Sequence, residues 1–305
     1  MSRRTLALFA ALGATTIYAL NHTIAKGVMP NYVQPFGFIM LRVTGAAVLF
    51  WVFSVLGPKE KIAKRDWGRL AICSIFGMVI NMLAFFKGLQ LSTPINSSVL
   101  VTITPIIVVI LSAVWIQEKI TWQKACGILM GFVGAILLIL MGAESRQDAP
   151  NIPLGNILLI VNATAYGTYL ILVKKLIEKY HPLTLMKWLF TIAVIVNFPI
   201  TFTEVAAIKW SSIPPEIYAS IAFVVIGTTF LTYLFNVFAL TQLKASSVSA
   251  FTYLQPLIGI LFAIGTGKDS LSAIKMAAAL LVLAGVYLAS RKPIRAKAKL
   301  KSENY

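Results

Sequence analysis

Ionisable side chains are scarce where this chain is most apolar, so the few that occur there are the first candidates for chemistry. Arg42 lies about seven residues into an apolar run that begins near residue 35. A guanidinium at that depth, about 10 Å at 1.5 Å per residue, has two uses. It meets an anionic group, through two parallel hydrogen bonds if that group is a carboxylate, or its head snorkels to the outer headgroups. His22 is the one histidine inside such a run, since His181 falls between runs. All ten acids lie in connecting segments, tails or the ends of runs. A carboxylate proton relay is therefore not expected. If protons are moved, His22 is the group that titrates near neutrality; the alternative is a hydrogen-bonded structural histidine. No paired acids or Cys/His set has catalytic or metal-ligand spacing, so no catalytic residue, metal or cofactor is expected.

Polar and aromatic residues also recur at helical spacing. Tyr18, Asn21 and His22 share one face, as do Asn162, Tyr166 and Tyr169, and Thr229, Tyr233 and Asn236. Asn81 and Phe85 are four apart, and Tyr253 and Gln255 stand beside Pro256. Such stripes cannot face lipid cheaply and should turn inward. Interhelical hydrogen bonding accounts for any one of these residues. Four stripes together point to a wet central cavity, with Tyr253 and Gln255 lining it from the second half of the chain.

The elements that must position these residues are membrane helices. Apolar residues make up 58% of the chain and charged residues 12%, against roughly 45–50% and 25% in soluble domains. Mean hydropathy is +0.84. Ten apolar spans fall near 5–25, 35–56, 68–90, 95–116, 122–141, 154–173, 183–203, 216–240, 246–266 and 272–290. Each has the length a bilayer requires, and helices are forced because lipid cannot satisfy free backbone groups. The first follows Met-Ser-Arg-Arg and is long enough to span, which favours a retained helix over a cleaved signal peptide. Cys73 and Cys126 lie within spans and form no framework.

A net charge of +17 would suggest nucleic acid in a soluble protein. Here its distribution sets topology instead, and no nucleic-acid partner is expected. Of the 27 Lys and Arg, twenty fall on alternate loops that include both termini, six on the opposite loops, and Arg42 within a span. This places both termini in the cytoplasm. The basic tail 291–305 serves as a topological stop or a contact for anionic lipid.

The chain also repeats itself. With Pro105 set on Pro256, an offset of 151, Leu89 falls on Leu240, Ser98 on Ser249, Lys124 on Lys275 and Gly134 on Gly285. The turn Glu118-Lys119-Ile120-Thr121 recurs as Asp269-Ser270-Leu271-Ser272. Tyr18 meets Tyr166 and Lys26 meets Lys174 at offset 148, a change that a loop insertion would produce. The sequence thus predicts one membrane domain, with repeat one at about 5–141 and repeat two at about 154–290. Five spans per repeat is an odd number, so the second repeat must be inverted, an arrangement suited to a midplane site and alternating access. Pro105 and Pro256 break equivalent helices; they act either as hinges or as static packing kinks.

The layout, the pattern Ile17-Tyr18-Ala19-Leu20-Asn21…Lys26, and the segment Pro105…Glu118-Lys119-Ile120-Thr121…Gly127…Gly134 together resemble the EamA-type transporters of the drug/metabolite transporter superfamily. The resemblance runs from about 6 to 290. It implies export or exchange of metabolites or amphipathic compounds, with no particular substrate. The family usually carries Trp where Tyr18 stands.

The expected function is therefore a secondary transporter of a small-molecule substrate in a cell membrane, of the bacterial inner-membrane kind. An intramembrane enzyme lacks its acids and metal ligands, and a channel lacks a filter or pore ring. A receptor or assembly scaffold is the remaining alternative. Gly127, Gly131 and Gly134 permit close packing within the chain or in a homodimer.

Overall fold

The computed structural model describes residues 2–115, 117, 120–141, 148–243, 251 and 254–290. Outside that set lie Glu118, Lys119, Arg146, Tyr253 and the tail from 291. The described residues form α1 (Arg3–Val28), α2 (Pro35–Ser54), α3 (Trp67–Ser74), α4 (Asn81–Leu91), α5 (Pro94–Val101), α6 (Thr104–Trp115) and α7 (Trp122–Met141). They continue with α8 (Ile152–Ile177), α9 (Pro182–Ala206), α10 (Pro215–Ala222), α11 (Thr232–Gln242), α12 (Leu254–Gly265) and α13 (Ala273–Ser290). A π-helical stretch, Ile75–Ile80, joins α3 to α4, and another, Phe223–Leu231, joins α10 to α11. Eight of the resulting segments are long and apolar enough to cross a membrane, and α12 and α13 add two shorter apolar helices. The fold is all-α, a ten-span membrane protein of two inverted five-helix repeats.

Local sequence sets the helix starts. Proline occupies the first turn of α2, α5, α8, α9 and α10, where its missing N–H removes no helix hydrogen bond. Thr93 and Asn151 cap α5 and α8, accepting from Asn96 N and Leu154 N. Acids that the sequence excludes from the spans serve three of these same helix starts. Glu204 Oε2 accepts from Phe36 N (2.7 Å) and Gly37 N (2.9 Å) at the start of α2. Glu60 Oε2 accepts from His181 N (2.8 Å) at the start of α9. Each carboxylate thus sits at the positive end of a helix from the other repeat. Asp269 does the same for α5, accepting from Ile95 N at 3.1 Å while Lys275 Nζ donates to it at 2.7 Å.

Packing repeats with the sequence. The second span packs on its counterpart the seventh (α2 on α9), and the fifth on the tenth (α7 on α13). The contact of α8 with α4 is matched by that of α1 with α11. Inversion is visible at the end of α4. Lys26, near the last turn of α1, reaches Leu89 and Ser92 there, and Asn151, at the start of α8, donates to Leu91 O. So α8 begins on the face where α1 ends.

The change in offset between the repeats has a different origin from the one expected. It falls within a span. From α3 to α10 the offset is 148 at the first residue of each helix and of each π stretch. It is 151 where α4 and α11 begin, because the second π stretch has nine residues against six. A helix absorbs extra residues as π-helical turns without losing its register to the bilayer.

Pro105 lies in the first turn of α6 and marks a break in the fourth span at Thr102 and Ile103. The Thr104 hydroxyl donates to Val101 O (2.8 Å), the carbonyl that Pro105 leaves without an i+4 donor, and the Thr102 hydroxyl joins its own backbone N on Val99 O (2.6 Å). Pro256 is buried within α12. The glycines of the fifth span face α13: a Cβ on Gly127 would lie 2.5 Å from Ala289 N, and one on Gly285 2.6 Å from Gly127 O. This glycine face is used inside the chain, while Leu129, Ile136 and Leu140 on α7 are exposed.

Candidate functional site

Arg42 projects from the second turn of α2 into the bundle and is 7% exposed. Its Nε donates to Thr229 Oγ1 at 2.8 Å, and its guanidinium lies over the Phe86 ring at 5.6 Å. Thr229 is held in turn by Val224 O at 3.2 Å, a bond across the π-helical turn. No carboxylate pairs with Arg42 among the described residues, and Tyr18 is an electrostatic neighbour. Its head is turned onto Thr229 within the bundle.

Around it lie three groups of aromatic contacts, with Tyr166 the electrostatic neighbour of both other groups. His22 contacts Tyr18 and Phe85 edge-on, at 5.9 and 5.4 Å between ring centroids, and Phe85 contacts Phe86 at 5.2 Å. Tyr166 stacks on Tyr169 at 5.7 Å and shares its surroundings with Tyr18 and Tyr233. Tyr233 also meets Phe50, at 5.9 Å. Three stripes and Arg42 thus converge from α1, α2, α4, α8 and α11. His22 is 1% exposed and its Nδ1 lies 2.8 Å from Ser97 Oγ. Asn21 is fully buried, with neither its Nδ2 nor its Oδ1 hydrogen-bonded.

Other predicted residues are placed differently. Asn81 and Asn162 donate to each other's backbone carbonyls, at 3.3 and 2.9 Å, and so tie the third span to the sixth. Asn236 and Gln255 are partly buried. Tyr253 lies outside the described residues.

The exposed face of α8 changes along its length. Near its start Leu154, Ile157 and Val161 are exposed. Beyond its middle Tyr166 (40%), Leu170, Lys174, Lys175 and Ile177 are exposed, and all but Lys175 form a strip at helical spacing on a different side. Because Tyr166 belongs to the central cluster, this strip leads from the cluster to the Lys174 end of the molecule. Two hollows lie away from it. One of about 390 Å³ lies between α2 and α9, at Trp51 and Thr191; one of about 320 Å³ lies at the Lys26 end, beside Asn31, Glu204 and Lys209.

The residue that sequence reasoning left among the topological charges is Lys26. It is 8% exposed, and its Nζ donates to Leu89 O, Gln90 O and Ser92 O at 2.7–2.8 Å. This ammonium closes the last turn of α4, where helix carbonyls lack partners. Its repeat mate Lys174 is exposed, and its side chain makes no hydrogen bond or ion pair among the described residues. The signal that marked Lys26 was its alignment with Lys174. Ser97 and Phe86, which complete the settings of His22 and Arg42, carried no signal beyond being in spans.

Comparison with known proteins bears on the family and the fold. The model of the EamA-like transporter family matches residues 5–140 and again 153–291. An "Uncharacterized transporter" of Archaeoglobus fulgidus is 28% identical over 91% of this chain and 96% of its own length. The "Uncharacterized transporter YyaM" of Bacillus subtilis is 26% identical over 92% of each. A "Probable terminal-alkyne amino-acid exporter" of Streptantibioticus cattleyicolor is 23% identical over 85% of this chain and 84% of its own. A solved crystal structure shares the fold, with a TM-score of 0.62 at 16% identity, covering 94% of this chain and 98% of that one.

Proposed function

The chain belongs to the EamA-like transporter family and is a membrane transporter, and from that premise we propose that it moves a small metabolite or amphipathic compound by alternating access, in export or exchange. The observation that carries this reading is the unequal use of two equivalent lysines. Lys26 is buried on three carbonyls at one end, and Lys174 is exposed at the other. An inverted repeat has a second arrangement in which the roles exchange: Lys174 takes the carbonyls that close α11, and Lys26 releases those of α4. One rocking motion of the two repeats then closes one end and opens the other.

The excess of Lys and Arg on alternate loops supports an orientation with the termini in the cytoplasm and the Lys26 end outside. The strip from Tyr166 to Ile177 then gives the cluster a path inward, as an exporter needs when loading. The break beside Pro105 supplies a place for the fourth span to bend. His22 sits among aromatic rings with Ser97 as its partner, which favours an exchanger or facilitator over a proton-coupled pump. The one-domain arrangement, with repeats at about 5–141 and 154–290, is the unit that rocks.

Counterflow in proteoliposomes tests the proposal. Saturable exchange of a radiolabelled solute is expected, whereas a receptor or scaffold exchanges none. A pH gradient should not drive uptake. Uptake driven by the gradient and lost in His22→Ala would instead make this histidine a proton carrier.

A further inference from the structure

Resting on the transporter reading above, we infer that the substrate class is a monocarboxylate with an apolar or aromatic body, whose carboxylate docks on Arg42. The argument begins with cost. A cation this deep in the membrane is stable only when something compensates it, and among the described residues no acid does so. Thr229 takes Nε, and a neutral hydroxyl leaves the charge unbalanced. The two terminal nitrogens remain, a planar pair matched to the two oxygens of a carboxylate. The Phe86 ring lies 5.6 Å from the guanidinium carbon, and Tyr18 is its electrostatic neighbour.

The surroundings fix the rest of the ligand. His22, Phe85, Tyr166, Tyr169 and Tyr233 present ring faces and edges with few ionic groups. Such a wall accepts an apolar body and offers nothing to a second charge. A dianion would leave one charge unpaired, and an amine would face Arg42 without a carboxylate to screen it. Cations and phosphate monoesters are therefore excluded on the same ground that admits a carboxylate.

The test compares matched probes on the purified wild-type protein. Thermal-shift titrations use phenylacetate, hexanoate, phenylacetamide, phenethylamine and phenyl phosphate, and counterflow is measured with labelled phenylacetate. Either carboxylate should bind at least tenfold more tightly than the amide, with the amine and the phosphate weaker still. Arg42→Gln should remove the preference of acid over amide, and Arg42→Lys, which keeps the charge without the planar fork, should keep part of it. Equal binding of acid and amide, preference for the amine or phosphate, or no binding by either carboxylate overturns the assignment. If Arg42→Gln fails to fold, the acid-to-amide ratio in the wild type decides alone. Counterflow of the amide without the acid would overturn the substrate class and leave the transporter reading standing; carboxylate binding without any counterflow would do the reverse.

Discussion

Lys26 and Lys174 occupy the same position in two copies of one repeat, yet one is buried and the other exposed. The Lys26 end is further sealed by Ser92, whose hydroxyl lies 2.5 Å from Asn156 Oδ1, and by Asp269 on Ile95 N. The Lys174 end holds a different set of contacts, with Lys179 and the Tyr180 hydroxyl both on Asp66. There the end of the sixth span is bound to the start of the third, and nothing described binds Lys174 to the end of the eighth. The lesson is that the third span is the shared partner at both ends in this state. Duplication supplies two equivalent sets of contacts, and the structure uses one of them. The carboxylate of Asp66 beside Lys179, outside the bilayer, also raises that lysine above its ordinary range, consistent with a charge pair at an exposed rim.

The contrast can be broken or sharpened by substitution. The largest effect is expected at the feature that is the same in both halves. Gly127→Leu drives a side chain into the backbone of α13 and should destabilise the protein by about 3 kcal/mol or more, read as a fall in thermal midpoint. It should not favour either end, because α7 and α13 form the symmetric contact. Lys26→Met removes three hydrogen bonds from carbonyls that remain buried, at a cost of about 2–3 kcal/mol to this state. A shift of that size changes the ratio of states by roughly 30–140-fold. In a protein lacking Cys73 and Cys126, maleimide labelling of Ile95→Cys should then speed up. Asp269→Asn weakens the cap on α5 by about 1–2 kcal/mol, so the same labelling should speed up less. Lys174→Met should change the stability of this state by less than about 0.5 kcal/mol, as for an exposed side chain. Its effect should appear as slower counterflow, since it weakens the other state.

Much of this architecture was legible in the sequence, for physical reasons. Hydropathy marks the spans because lipid tolerates little else. The inversion followed from an odd number of spans per repeat. The convergence of Arg42 with the Tyr18, Tyr166 and Tyr233 stripes was half legible: spacing showed which faces turn inward, but not which faces meet. Asn81 and Asn162 show the limit, because a polar stripe looks the same whether it lines a path or ties two helices. The role of Lys26 was hidden for another reason. A lysine at the end of a span satisfies the topology rule and a helix terminus equally well, and only the position of α4 distinguishes them. The π-helical insertion was hidden too, since extra residues inside a span leave its hydropathy unchanged.

The central claim is that the two lysines exchange roles as the ends alternate, and a distance measurement across the Lys174 end tests it most directly. Spin labels at Glu178→Cys and Leu243→Cys, in proteoliposomes, report the gap between the ends of the sixth and eighth spans. Releasing the opposite end by Lys26→Met should move the distance distribution to a shorter population, and adding Lys174→Met should abolish that shift. A distribution unchanged by Lys26→Met, or a shift that survives removal of both lysines, would contradict the account.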